Sequence, residues 1–207
     1  MKLKWYGHSC FGLTLDDGAV IVTDPFDDSV GYPLCDARAD VALSSHGHFD
    51  HNYFDALRGE PRIIDRAGRY ELPGATITGV PTWHDDARGA KRGANLIFRI
   101  DAGGLSVAHL GDLGHLPETE EQKAALTGLD LMMIPIGGYY TIDTPAAVRI
   151  VGTFRPRAVV GMHFANRYCH FPISDEKEFL RLTGGRTLPN EIDLTRDGPE
   201  GAFVMEI

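Results

Sequence analysis

Val41-Ala42-Leu43-Ser44-Ser45-His46-Gly47-His48-Phe49-Asp50-His51 is the stretch on which the fold of this chain turns. Its apolar start, Val41 to Leu43, predicts a short buried strand. Three imidazoles and a carboxylate then fall within the six residues from His46 to His51. Such crowding makes a poor core and gains nothing on a surface, but it offers nitrogen and oxygen donors to a divalent cation. Alternate side chains of an extended segment share a face, so His46 and His48 can meet one ion together. Asp50 and His51 require a turn, which points them at a neighbouring position and predicts a second ion. The bland alternative is a solvated loop that happens to hold three histidines, a clustering that no propensity favours.

A dinuclear site needs donors beyond this loop. His84 follows Val80-Pro81-Thr82-Trp83, Asp112 follows the run 107–111, and His163 follows the run 159–162. Each stands at a strand end or in the loop after it, where sites are usually built. Any one alone would read as a hydrogen-bonded loop residue. Together they complete two sets of ligands. His46, His48 and His84 form one, with a fourth position left for solvent; Asp50, His51 and His163 form the other, and Asp112 can bridge them because a carboxylate has two oxygens.

Around these donors, apolar runs at 2–6, 11–15, 19–23, 41–44, 62–64, 76–80, 95–100 and 105–110 are bounded by Gly, Asp and Pro and predict strands. Asp16-Asp17-Gly18 and Asp101-Ala102-Gly103-Gly104 predict hairpin turns. The later half predicts helices at 117–126, at 146–154 after Thr144-Pro145 with a hydroxyl cap, and at 174–182 capped by Ser174. Strands at 131–136 and 158–162 lie between and after the first two. Strands and helices in this order suggest two packed sheets with helices outside.

The length of 207 residues suits one domain over 1–207, and 43% hydrophobic with 24% charged residues is an ordinary globular balance. A formal charge of −9 disfavours a broad nucleic-acid surface, which needs clustered Lys and Arg. Two bound cations would invert that sign locally, so a small anionic substrate could still be drawn in. Cys10, Cys35 and Cys169 are odd in number and lack a CxxC pair, so no disulfide framework is indicated. Neither a leader segment nor a bilayer-spanning run is evident, which makes a reducing cytoplasm the simplest address and a membrane partner unexpected.

The HxHxDH run from His46, the downstream His84, the Gly-Asp of His109-Leu110-Gly111-Asp112 and the Gly-Met-His ending at His163 resemble the metallo-β-lactamase superfamily of metal-dependent hydrolases. Tyr6-Gly7-His8-Ser9-Cys10-Phe11, Thr23-Asp24-Pro25, Gly111-Asp112-Leu113-Gly114 and Ile136-Gly137-Gly138-Tyr139 look closest to its ascorbate-6-phosphate lactonase-like branch. The resemblance implies an α+β fold, a four-layered αββα sandwich with two divalent ions in a cleft at one edge of the sheets, and leaves homo-oligomer formation open. True β-lactamases of the superfamily are secreted and commonly carry Cys or His where this chain has Asp112, so the lactonase and glyoxalase-II types are the better likeness. Its RNA-processing members carry a large extra domain, for which there is no room.

The expected reaction is hydrolysis of an ester- or lactone-type carbonyl by a hydroxide held between two ions, zinc first, with manganese and iron as alternatives. The same hydroxide would serve a phosphodiesterase or phospholipase-type reaction. Iron-dependent redox chemistry is less favoured, since His48 stands where the flavodiiron type has an acidic residue. A binding module without catalysis is disfavoured because every expected ligand is present.

Besides Asp112, His115 is a candidate proton donor to the leaving group, and His8 a candidate contact to substrate or to a ligand, each with a plain loop residue as the alternative. Asp24 either orients a ligand imidazole and pins the loop or caps its own turn. His109, within a strand, suits a satisfied core position. Tyr139, Tyr140 and His170 could line the cleft mouth or merely pack.

Overall fold

In the computed structural model, which describes residues 1–207, alternation at the start of the chain works as a strand signal. Leu3 and Trp5 are buried while Lys2, Lys4 and Tyr6 are less so, as expected where one face is covered. β1 (Lys2–Gly7), β2 (Cys10–Thr14) and β3 (Val20–Thr23) pair antiparallel, then β4 (Val41–Leu43) and β5 (Arg62–Ile64) add in parallel. The second sheet begins with β6 (Gly68–Leu72), β7 (Ala75–Trp83), β8 (Ala94–Ala102) and β9 (Leu105–His109), each antiparallel to the one before. β10 (Leu131–Pro135) and β11 (Ala158–Met162) continue it in parallel with β9. Of the last strands, β12 (Arg186–Pro189) edges the second sheet, β13 (Glu191–Asp193) crosses to pair with β1, and β14 (Gly201–Glu206) lies between β11 and β12.

Parallel neighbours need long crossovers, and helices supply them. α1 (Glu120–Ala125) precedes β10, α2 (Thr144–Phe154) precedes β11 and α3 (Lys177–Thr183) precedes β12; they pack on β7 and β8, on β10, and on β14 respectively. The connections within the first sheet hold only two 3-10 turns, Asp28–Val30 and Phe54–Ala56. The result is the mixed α/β sandwich expected of the family resembled. Both sheets feed one apolar core, with Leu3, Phe11 and Leu43 from the first and Ile77, Phe98 and Ile134 from the second; burying each such side chain is worth about 1.5–3 kcal/mol. No helix is long and apolar enough to cross a membrane.

Several helix boundaries differ from expectation for local reasons. α1 is shorter than 117–126 because Thr119 and Gln122 form a capping box that starts it. α2 is capped by Asp143, whose carboxylate accepts from Ala146 N at 2.9 Å, while the Thr144 hydroxyl donates instead to Ile136 O at 2.8 Å. Ser174 does not cap α3: its N–H donates to Gly137 O at 2.7 Å, and the helix begins at Lys177.

Chain direction decides where donors collect. β7 is two antiparallel steps from β9, so β7, β9, β10 and β11 all point the same way. The residues after their carboxyl ends, His84, Asp112, the Gly137–Tyr140 loop and His163, therefore share one edge of the sandwich, the usual location of ligands in sheets of this kind.

Candidate metal centre

Asp24 at the end of β3 organises the loop after β4. Its φ of 42° is left-handed, and strain of this kind persists where surrounding bonds over-determine the backbone. Asp24 N donates to Leu43 O at 2.8 Å; its Oδ1 accepts from Ser45 N at 2.7 Å, and its Oδ2 accepts from Ser45 Oγ at 2.6 Å and His51 Nδ1 at 2.8 Å. Burial pushes this carboxyl up, but His109 and His51 outweigh it and hold the group below the usual carboxylate value. With its proton on Asp24, the Ser45 hydroxyl can accept from His46 Nδ1, 2.9 Å away, which leaves His46 Nε2 as a lone-pair donor. His51 N donates to His48 O at 3.0 Å and closes the turn required for Asp50 and His51.

The second sheet supplies the rest. His84 N donates to Gly93 O at 3.1 Å. Asp112 N donates to Asn95 Oδ1 at 2.9 Å, and Asn95 is itself held by Thr82 and the Leu110 carbonyl. Gly111 sits at φ 52°, where a Cβ would collide with Asn95 and Ser45, so only glycine lets Asp112 enter beside the histidine loop. His163, at φ 54°, donates its backbone N–H to His8 O at 3.3 Å and ties the end of β11 to the β1–β2 turn.

These side chains converge. Donor atoms of His46, His48 and His84 lie within 4.8 Å of one another, as do those of His8, Asp50, His51 and His163, and a third group joins His46, His51 and Asp112. Asp112 stands between the sets. Its Oδ2 is 3.2 Å from both His84 Nε2 and His163 Nε2, and its Oδ1 is 3.2 Å from His51 Nε2.

The charge balance asks for a cation. Asp24, Asp50 and Asp112 are buried, and imidazoles alone stand within ion-pair distance of them, with no Lys or Arg. Burying several carboxylates without a compensating charge is costly. His51 Nε2 and Asp112 Oδ1 are also buried without a hydrogen-bond partner. Burial disfavours a charged His51, yet Asp112, Asp50 and Asp24 around it raise its pKa well above the ordinary value. Burial, with His51 adding repulsion, lowers His46 to about 3, so its nitrogens are free of an extra proton at neutral pH. Orphaned polar atoms, a neutral His46 and carboxylates with no Lys or Arg beside them within one cluster fit a pair of divalent ions.

The remaining expected residues are distributed unevenly. His8 is fully buried at φ 51°, its Nε2 3.2 Å from Asp50 Oδ2 and its ring 4.1 Å from that of His163. It touches the donors and is closed off from substrate. His109 is satisfied within the core, with Nε2 donating to Ser9 O at 2.8 Å and Nδ1 accepting from Gly111 N at 3.1 Å. His115 has both ring nitrogens engaged with backbone, Nε2 accepting from Trp83 N at 3.2 Å and Nδ1 donating to Leu116 O at 2.7 Å, and it lies outside the wall of the cleft over the donors. Tyr139, 68% exposed, faces a neighbouring depression, and His170 is exposed and outside the cleft wall, so neither lines the mouth as expected.

Tyr140 does line it. The cleft over the donors measures about 330 Å³ and is walled by Phe49, Arg92, Tyr140 and Phe171 above His48, Asp50, His84, Asp112 and His163. Phe49, Arg92 and Phe171 escaped sequence reasoning, as did the Ser45 relay and the Asn95 clamp. Of these, only Ser45 left a local signal, a hydroxyl directly ahead of the first histidine.

Comparison with known proteins agrees with this geometry. A family model described as Beta-lactamase superfamily domain matches residues 2–163. A UPF0173 metal-dependent hydrolase of Anaeromyxobacter sp. (strain K) is 30% identical over 203 residues, covering 79% of this chain and 74% of its own length. One from Pyrococcus abyssi is 28% identical over 217 residues, covering 90% and 93%. Among solved structures, a proposed Zn-dependent hydrolase of the metallo-β-lactamase superfamily from Thermotoga maritima superposes with a TM-score of 0.82 at 34% identity, covering 99% of this chain and 97% of that one. These relatives do not place the chain specifically in the ascorbate-6-phosphate lactonase-like branch.

Proposed function

Since the chain belongs to the beta-lactamase superfamily domain family and to its UPF0173 metal-dependent hydrolases, we propose that it hydrolyses an ester- or lactone-type carbonyl of a small substrate at a pair of divalent ions, with residues 1–207 acting as one unit. The observation that carries the reading is Asp112, a buried carboxylate set among His51, His84 and His163 with one oxygen left unbonded.

In this reading His46, His48 and His84 would hold one ion, Asp50, His51 and His163 would hold the other, and Asp112 would serve both. Such a pair, zinc in the first instance, supplies an activated water at neutral pH and Lewis acidity toward a carbonyl oxygen. The chain's own residues do the rest. Asp24 fixes the ring of His51 through Nδ1 and that of His46 through Ser45, so both present Nε2. His8 holds Asp50 through its Oδ2. Phe49, Tyr140 and Phe171 narrow the entrance and keep bulk water from the bound carbonyl.

The test is elemental analysis of purified protein, followed by a panel of lactones, thioesters, aryl esters and bis-p-nitrophenyl phosphate assayed with Zn²⁺ and Mn²⁺. Two ions per chain and turnover of carbonyl esters are expected. Turnover of the phosphodiester alone would move the reading to phosphorus, and a chain that takes up no ion would end it.

A further inference from the structure

We infer that Arg92 is an anion anchor, and that the cleft selects a substrate with an apolar body bearing one carboxylate or phosphate set apart from the carbonyl that is hydrolysed. This deepens the hydrolase reading above and rests on it for its kinetic arm only.

Arg92 is a half-buried cation in the wall of the cleft. Its guanidinium lies 5.6 Å from the centre of the Tyr140 ring and makes neither an ion pair nor a side-chain hydrogen bond anywhere in the chain. Arg167, the arginine that borders another groove, is by contrast engaged with the carbonyl of Ile207. Leaving a fork of five donors free beside aromatic walls wastes bonding capacity unless a ligand supplies the acceptor.

The backbone beneath Arg92 is built to hold it there. Both oxygens of the Asp85 carboxylate accept backbone N–H groups, from Ala87, Gly89, Lys91 and Arg92 itself, the last at 2.7 Å. The loop is thus shaped from within, and the Tyr140 ring beside the guanidinium offers it a cation–π contact without neutralising it. Phe49, 53% exposed, faces Phe171 at 6.4 Å between ring centres, and Phe171 lies 6.3 Å from Tyr140. Three aromatic rings and one free cation describe an apolar substrate with a single anionic group. On a chain of charge −9, such a cation is also a local exception that a general electrostatic field would not provide.

Wild type, Arg92→Ala and Arg92→Lys, each loaded with zinc and checked for ion content, are compared in two arms. The kinetic arm pairs 4-nitrophenyl esters that differ only in a terminal carboxylate, a terminal phosphate or a terminal methyl group. Arg92→Ala should lower the ratio of kcat/KM for the anionic over the neutral ester by at least about tenfold, equivalent to about 1.4 kcal/mol, chiefly through KM, and Arg92→Lys should recover part of it. Whether carboxylate or phosphate loses more identifies the natural group. The equilibrium arm titrates the same proteins with 3-phenylpropionate, phenylphosphonate and the neutral 3-phenylpropionamide, and the preference for the anions should shrink in Arg92→Ala. An unchanged preference in both arms overturns the anchor. Anion binding that depends on Arg92 in a protein that turns over no ester leaves the anchor standing and overturns the hydrolase reading instead.

Discussion

Asp112 and Asp85 are both almost fully buried carboxylates just past strands at the same edge of the sandwich, yet they end in opposite states. Asp85 is complete, its two oxygens accepting four backbone N–H groups from its own loop. Asp112 is incomplete, faced only by imidazoles and with one oxygen unbonded. A carboxylate closed by its own backbone builds architecture, whereas one left open among imidazole donors awaits a charge from outside.

Removing the open carboxylate gives the largest expected effect. Asp112→Ala should lose bound metal and hydrolysis together, beyond the roughly 100-fold reached by changes behind the ligands, as read by elemental analysis beside the ester assay. Full turnover in a metal-free Asp112→Ala protein would erase the contrast. Asp24→Asn keeps the shape but weakens the hold on Ser45 and His51, so metal affinity should fall about 10- to 100-fold, measured by competition with a chromophoric chelator. Wild-type affinity in that variant would reduce Asp24 to a turn residue.

The smallest effect belongs to the closed carboxylate. Asp85→Asn should leave the ion count unchanged while speeding amide exchange at Gly89 and Arg92. Burial raises the Asp85 carboxyl, but the four N–H groups outweigh it and hold the folded value near 2, below the unfolded value of about 3.9. A depressed folded value means the loop's stabilisation is complete above about pH 4 and fades as pH falls toward 2. Protection factors at these amides in wild type, with intrinsic exchange divided out, should fall over that window and not above it; loss of protection nearer neutrality would assign the loop's order to something else.

How much of this was legible in the sequence follows from the range of each interaction. The loop from His46 to His51 declares itself because its spacing is local, and His84, Asp112 and His163 because each interrupts an apolar run. Short polar edge strands gave no such contrast: β6, β12 and β13 mix charged and apolar residues and escaped notice, as did β14, whose run from Ala202 to Met205 was a usable signal. His115, three positions after Asp112, draws attention by its type and place, and only the fold shows both its nitrogens bonded to backbone. Arg92 hid in Ala90-Lys91-Arg92-Gly93, which reads as a solvated turn. Its freedom from partners is a property of the whole molecule, and no window of residues contains it.

The donors interleave across the seam between the two sheets, with the loop after β4 on one side and His84, Asp112 and His163 on the other. Ions seated there would act as rivets, closing a circuit of chain that reaches from the first hairpin to the end of β11. Their grip would be felt as cohesion of the entire sandwich rather than of one loop, and stripping them would loosen two halves that the sequence keeps far apart.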